Sequence, residues 1–147
     1  MPREGSGFSY PHLDNNSFVL FKPADNSLNQ GNVGYIFGGS EGFPGHPKMN
    51  NTMQEMSYVL IDDYDTPEPE SGQSPRYGNL DVYGGGSYAG LGTMETYGGG
   101  RSVVDLYSGH IRNVYGGSNN EGLIGYTRVN VPKESTIKVN AIFGGGK

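Results

Sequence analysis

Apolar residues recur at alternate positions over short stretches of this chain, and the stretches stop at glycine or at small polar residues. Ser57-Tyr58-Val59-Leu60-Ile61, Ser102-Val103-Val104-Asp105-Leu106-Tyr107, Gly125-Tyr126-Thr127-Arg128-Val129-Asn130-Val131 and Thr136-Ile137-Lys138-Val139-Asn140 all follow a period of two. That period belongs to strands with one buried face. Helical periodicity is absent, so the chain is expected to be all-β.

A second pattern lies over the first. Gly31-Asn32-Val33-Gly34-Tyr35-Ile36-Phe37-Gly38-Gly39-Ser40 aligns without a gap on Gly109-His110-Ile111-Arg112-Asn113-Val114-Tyr115-Gly116-Gly117-Ser118. Asn79-Leu80-Asp81-Val82-Tyr83-Gly84-Gly85-Gly86 and Val139-Asn140-Ala141-Ile142-Phe143-Gly144-Gly145-Gly146 follow the same plan of aliphatic, aromatic and paired glycine. After the first three copies a serine and, past one to three intervening residues, a further glycine recur, as in Gly85-Gly86-Ser87-Tyr88-Ala89-Gly90-Leu91, which reads as a corner between consecutive strands. Glycine reaches positive φ without a Cβ clash, and this predicts left-handed backbone at those corners.

The aromatic positions set the period. From Tyr83 to Tyr115 is 32 residues (115 − 83), from Tyr115 to Phe143 is 28 (143 − 115), and from Phe37 to Tyr83 is 46 (83 − 37). The long interval contains an acidic, proline-rich stretch at 62–76, which reads as an exposed inserted loop. Without its 15 residues the interval falls to 31, in line with the others. Two or three short strands per repeat of that size, with glycine corners, predict a parallel β-solenoid of about four coils over residues 31–147. Residues 1–30 are expected to form an N-terminal arm, a cap or an irregular first coil, with Phe18-Val19-Leu20-Phe21 as its apolar part. Stacked coils would place Phe37, Tyr83, Tyr115 and Phe143 in one ladder. The rival is a β-sandwich, which also needs short strands and turns but gives no reason for the repetition.

Composition narrows the function classes. Twenty-six glycines and nine prolines would suit a low-complexity chain, but eleven tyrosines, six phenylalanines and recurrent Val and Ile point to ordered strands. A formal charge of −5 without clustered Lys and Arg argues against nucleic acid as a partner. No apolar run nears the roughly 20 residues that span a bilayer, so no membrane insertion of this segment is expected. Cysteine is absent, which removes disulfides and thiolate metal sites.

Candidate chemistry is sparse. Asp62, Asp63, Asp65, Glu68 and Glu70 offer oxygen ligands, but their spacing fits no calcium loop and they read as a solvated acidic segment. His12, His46 and His110 are dispersed, and the glycine runs lack the Lys and Ser/Thr of a phosphate loop. No metal, cofactor or catalytic residue is therefore assigned. Asp81, Glu95 and Asp105, with Arg101, Arg112 and Arg128 near them, would serve the alternative reading of a polysaccharide lyase or hydrolase. Tyrosine joins a flat apolar face to a hydroxyl, which suits stacking on sugars or proteins. Tyr88, Tyr97, Tyr107 and Tyr126 are the candidate ligand-binding residues.

Over residues 31–147 these repeats resemble the right-handed parallel β-helices of bacterial cell-surface proteins, including adhesin and autotransporter-like passenger domains. The resemblance implies a secreted or surface location and a noncatalytic structural or adhesive role toward a glycan or a protein. The enzyme branch of the same architecture supplies the alternative above. Gly144-Gly145-Gly146-Lys147 closes the chain within a repeat phrase, as a fragment of a longer array would. An open solenoid end would also allow self-association through unpaired strand edges.

Overall fold

The computed structural model describes residues 15–22, 33–42, 51–52, 54–63, 80–91, 99–120 and 124–147. Ten strands follow one another in these segments: β1 (Asn15–Phe21), β2 (Tyr35–Phe37), β3 (Asn51–Thr52), β4 (Gln54–Asp62), β5 (Asp81–Tyr83), β6 (Gly90–Leu91), β7 (Arg101–Ser108), β8 (His110–Tyr115), β9 (Tyr126–Asn130) and β10 (Lys138–Phe143). The described residues are all-β, without a helix.

The strands form two four-stranded sheets, ordered β1-β4-β7-β9 and β10-β8-β5-β2, and a two-stranded sheet of β3 and β6. Every strand pair among the described residues is parallel. An antiparallel sandwich is thereby overturned. In sequence order the chain visits the first sheet, the second and the small one, repeats that circuit, and then alternates twice more between the two large sheets. Consecutive strands therefore lie in different sheets, and each pairs with its counterpart from the previous pass. We call each level a rung: β1/β2, β4/β5, β7/β8 and β9/β10.

β1 lies inside the segment assigned to an arm or cap, and it is a regular strand, paired with β4 from Ser17↔Ser57 to Phe21↔Ile61. β4 extends through Asp62, the first residue of the expected loop; residues 64–76 lie outside the described residues. β10 joins what the sequence divides into a strand and a repeat phrase.

The core lies between the large sheets. Val59, Ile61, Val104 and Leu106 of the first pack with Ile36, Val82, Ile111 and Val114 of the second in a single cluster. Register makes columns of like residues: Val19, Val59, Val104 and Val129 in one sheet, and Ile36, Val82, Val114 and Ile142 in the other. β-Branched side chains suit such doubly flanked, pleated surfaces. One position beyond the second column, Phe37, Tyr83, Tyr115 and Phe143 stack with successive centroids 4.9 Å apart and planes within 12°. This is the ladder that the spacing anticipates.

The corner glycines answer to a different constraint from the one expected. Among the described glycines only Gly109 has positive φ, at 119°, where one residue joins β7 to β8 across the two sheets. The paired glycines are required by close stacking. A Cβ on Gly116 would lie 2.6 Å from the Gly144 carbonyl oxygen, and one on Gly117 would lie 2.7 Å from the Gly146 nitrogen. Left-handed backbone falls instead on Tyr88 and Asn120, with φ of 58° and 66°.

Each rung is also clipped shut by a hydroxyl. Ser17 donates to the Gly38 carbonyl at 2.5 Å, and Ser57, Ser102 and Thr127 donate likewise to Gly84, Gly116 and Gly144. These four hydroxyl residues occupy one column of the first sheet. The four acceptors are the glycines that directly follow the ladder aromatics.

Candidate functional site

Strand alternation decides what the first sheet shows to solvent. In β7, Ser102, Val104 and Leu106 are fully buried, and Arg101, Val103, Asp105 and Tyr107 occupy the other face. Parallel register extends that outer face into three columns: Asn16, Met56, Arg101 and Tyr126; Phe18, Tyr58, Val103 and Arg128; Leu20, Leu60, Asp105 and Asn130. Phe18, Leu20 and Tyr126 are 63%, 54% and 55% exposed, and the Arg101 and Arg128 side chains are also open to solvent. With strands about 4.8 Å apart, the four strands make a surface roughly 14 Å across.

Polar groups on this face hold one another in place. The Phe18 and Tyr58 rings stack with centroids 5.1 Å apart and planes 7° from parallel. The Tyr58 hydroxyl donates to Asp105 Oδ2, and Asn130 Nδ2 donates to Asp105 Oδ1 at 2.6 Å. Arg128 Nε in turn donates to Asn130 Oδ1 at 2.7 Å. The hydrogen bond to the Asp105 carboxylate, aided by burial and by its charge, pushes the Tyr58 phenol up to about 12. Tyr58 thus stays a neutral donor with a fixed ring, and Arg128 is held two strands away in the same column.

The second sheet holds its charges differently. Asp81 is 2% exposed, and Arg112 grips it from the rung above through Nε at 2.9 Å and through a second bond from Nη2. Those bonds raise the Arg112 pKa above its usual value. The fork satisfies both oxygens of a buried carboxylate. Asp81 therefore lies in one sheet and Asp105 in the other, each engaged with its own partners. Glu95 lies outside the described residues.

Compared with protein-family models, with curated proteins and with solved structures, the chain matches none. Its functional reading rests on its own geometry.

Of the four tyrosines singled out in the sequence, Tyr107 and Tyr126 share the outer face of the first sheet. They stand six positions apart along the strand direction, about 20 Å. The Tyr107 carbonyl accepts from the Thr136 amide at 2.8 Å, which secures its backbone beneath a ring that is 38% exposed. Tyr88 sits in a corner, half-buried, and its amide donates to Asn119 at 2.9 Å. Its left-handed φ makes it a turn residue on a different part of the surface. Tyr97 lies outside the described residues.

The residues missed from the sequence are Phe18, Leu20 and Tyr58, and Arg128 is read there only beside the acids of the enzyme alternative. A signal for them exists: Ser17-Phe18-Val19-Leu20-Phe21 and Ser57-Tyr58-Val59-Leu60-Ile61 match position by position in residue class. Among the described residues no group of three His, Asp or Glu stands close enough to hold a metal ion, and no helix is long and apolar enough to cross a membrane.

Proposed function

We propose that the chain is a right-handed β-solenoid segment acting as a noncatalytic adhesive or structural module, and that the outer face of its first sheet binds a glycan. The carrying observation is the union, on one sheet face, of exposed Phe18 and Tyr126 with solvent-facing Arg101 and Arg128. Sequential visits to parallel sheets, in-register columns and the four-ring ladder support the solenoid reading.

The chemistry of the face selects the ligand class. Aromatic rings take the apolar faces of sugars, and arginine forks take carboxylate or sulfate groups. An extended acidic polysaccharide can lie across several strands at once and meet both. A surface location follows from the resemblance to bacterial surface repeats and belongs to the same proposal. The enzyme alternative gains no support from the acids, because Asp81 is held by Arg112 and Asp105 by Tyr58 and Asn130 on another sheet.

Binding to a panel of neutral and acidic polysaccharides, followed by calorimetry, tests this reading. Tyr126→Ala and Arg128→Ala should each weaken binding about five- to tenfold, in line with roughly 1 kcal/mol per stacked or charged contact. Retention of full affinity in the double variant refutes the site, and sustained cleavage of any polysaccharide refutes the noncatalytic role. Capture of proteins with no glycan binding transfers the face to a protein partner.

A further inference from the structure

Arginine and aspartate meet on both large sheets, and they meet in two different ways. On the second sheet Arg112 and Asp81 are offset by one register position and close into a direct, forked ion pair. On the first sheet Arg128 and Asp105 are offset by two, since Asp105 lies opposite Asn130. A long side chain spans a diagonal of that kind as well. Arg128 nevertheless forms no ion pair among the described residues, because Asn130 stands between it and the carboxylate.

The chemistry of an amide fixes the order of these contacts. A carboxylate only accepts and a guanidinium only donates, so an asparagine that touches both must turn its Nδ2 to the aspartate and its Oδ1 to the arginine. That is the arrangement found: Asn130 Nδ2 donates to Asp105 Oδ1 at 2.6 Å, and Arg128 Nε donates to Asn130 Oδ1 at 2.7 Å. The other carboxylate oxygen, Oδ2, accepts the Tyr58 hydroxyl. Asp105 is thereby satisfied by two neutral donors, and the charge of Arg128 stays uncommitted. Arg128 gives up only Nε, and its Nη hydrogens remain for a ligand.

The outward aim of Arg128 comes from alternation within β9 and does not depend on what adjoins that strand. Tyr126 and Arg128 share the outer face with Arg101 and Val103 of β7, and Arg101 lies directly opposite Tyr126. Arg101 also forms no ion pair among the described residues. Arg101 and Arg128 are therefore diagonal neighbours, two cations flanking one exposed ring.

We propose that Asn130 is the specificity-determining residue of the glycan face: as a neutral spacer it keeps Asp105 from neutralising Arg128, and so reserves that guanidinium for a carboxylate or sulfate of an acidic polysaccharide. This rests on the glycan reading above and adds how a chain of formal charge −5 presents a cation to a polyanion. Asn130 is a positioning residue, since it acts through Arg128.

Calorimetric titration of the whole chain with a polyuronate and with a sulfated glucan tests it. Asn130→Leu keeps the size of the side chain but removes both hydrogen bonds, so Arg128 should swing onto Asp105. Affinity for whichever polymer the unaltered chain prefers should then fall about five- to tenfold, as far as in Arg128→Ala. The salt dependence of binding should become shallower although no charged residue has been removed, because one fewer cation meets the polymer. Asp105→Asn added to that variant should restore both affinity and salt dependence, since nothing is left to capture Arg128. Asn130→Ala, which adds no apolar bulk, should show the same loss and the same rescue. A role confined to packing predicts the reverse, a further loss as each hydrogen bond goes. Asn130→Leu that binds as tightly as the unaltered chain, with an unchanged circular dichroism spectrum, overturns the proposal, as does a double variant that binds no better than Asn130→Leu. Both results leave the glycan face standing. An unaltered chain that binds neither polymer overturns the glycan reading itself, and this inference with it.

Discussion

Gly84 and Gly144 hold the same place in the repeat, yet the same substitution should have opposite effects at the two. A Cβ on Gly84 would run into the Gly116 carbonyl oxygen and lie 2.7 Å from Ser102 Oγ. That carbonyl cannot retreat freely, since it accepts the Ser102 hydroxyl, and the Gly84 amide is tied to Tyr115 at 2.8 Å. Overpacking of this kind costs about 1–3 kcal/mol, and loss of the hydroxyl clip adds about 1 kcal/mol. Reduced freedom of the unfolded chain returns about 0.4–1 kcal/mol. Gly84→Ala is therefore expected to lose about 2 kcal/mol. At Gly144 only the unfolded-state effect remains, because a Cβ there meets nothing, and Gly144→Ala should gain about 0.5 kcal/mol. Urea unfolding of dilute protein, followed by far-ultraviolet circular dichroism, measures both. Equal losses at the two positions, or none at Gly84, would refute the view that the paired glycines exist to let rungs approach.

Alkaline pH should expose the ladder. The Tyr83 phenol is pushed up to about 12, first by burial and then by the charge of Asp81, and Tyr58 reaches a similar value through Asp105. Folding thus favours the neutral phenols, and their contribution is full below the ordinary value near 10 and is lost as pH rises from there toward 12. Unfolding free energy should hold steady up to about pH 10 and then fall, and Tyr83→Phe should make the fall shallower; an identical fall in that variant would argue against it. Ser102→Ala should cost about 1 kcal/mol by removing a buried clip, and Thr127→Ala on the exposed last rung should cost less, as paired urea titrations would show.

Much of the fold is legible in the sequence because buried strands must alternate and because stacked passes must repeat. The Phe37, Tyr83, Tyr115 and Phe143 positions satisfy both demands, and their stacking follows from spacing alone. β1 escapes notice because it lies among polar and turn-forming residues, although its Ser-aromatic-Val-Leu order repeats in β4. The glycine corners are located correctly but for the wrong reason: sequence shows that a side chain is forbidden, and both positive φ and a crowding neighbour forbid one. Only coordinates separate Gly109 from Gly116. The candidate face is half legible. Tyr107 and Tyr126 can be read as strand residues, but which side of the strand faces solvent depends on the partner sheet, and Tyr88 serves a turn that no local pattern marks.

The four-ring ladder also gives this chain an internal optical gauge. Aromatic chromophores held at a constant 4.9 Å separation, with nearly parallel planes, couple their electronic transitions into a shared near-ultraviolet signal. Each ring comes from a different level of the molecule, and no tryptophan is present to mask the band. Slippage of any single level would split the array, so one unlabelled spectrum registers whether the column is continuous from bottom to top.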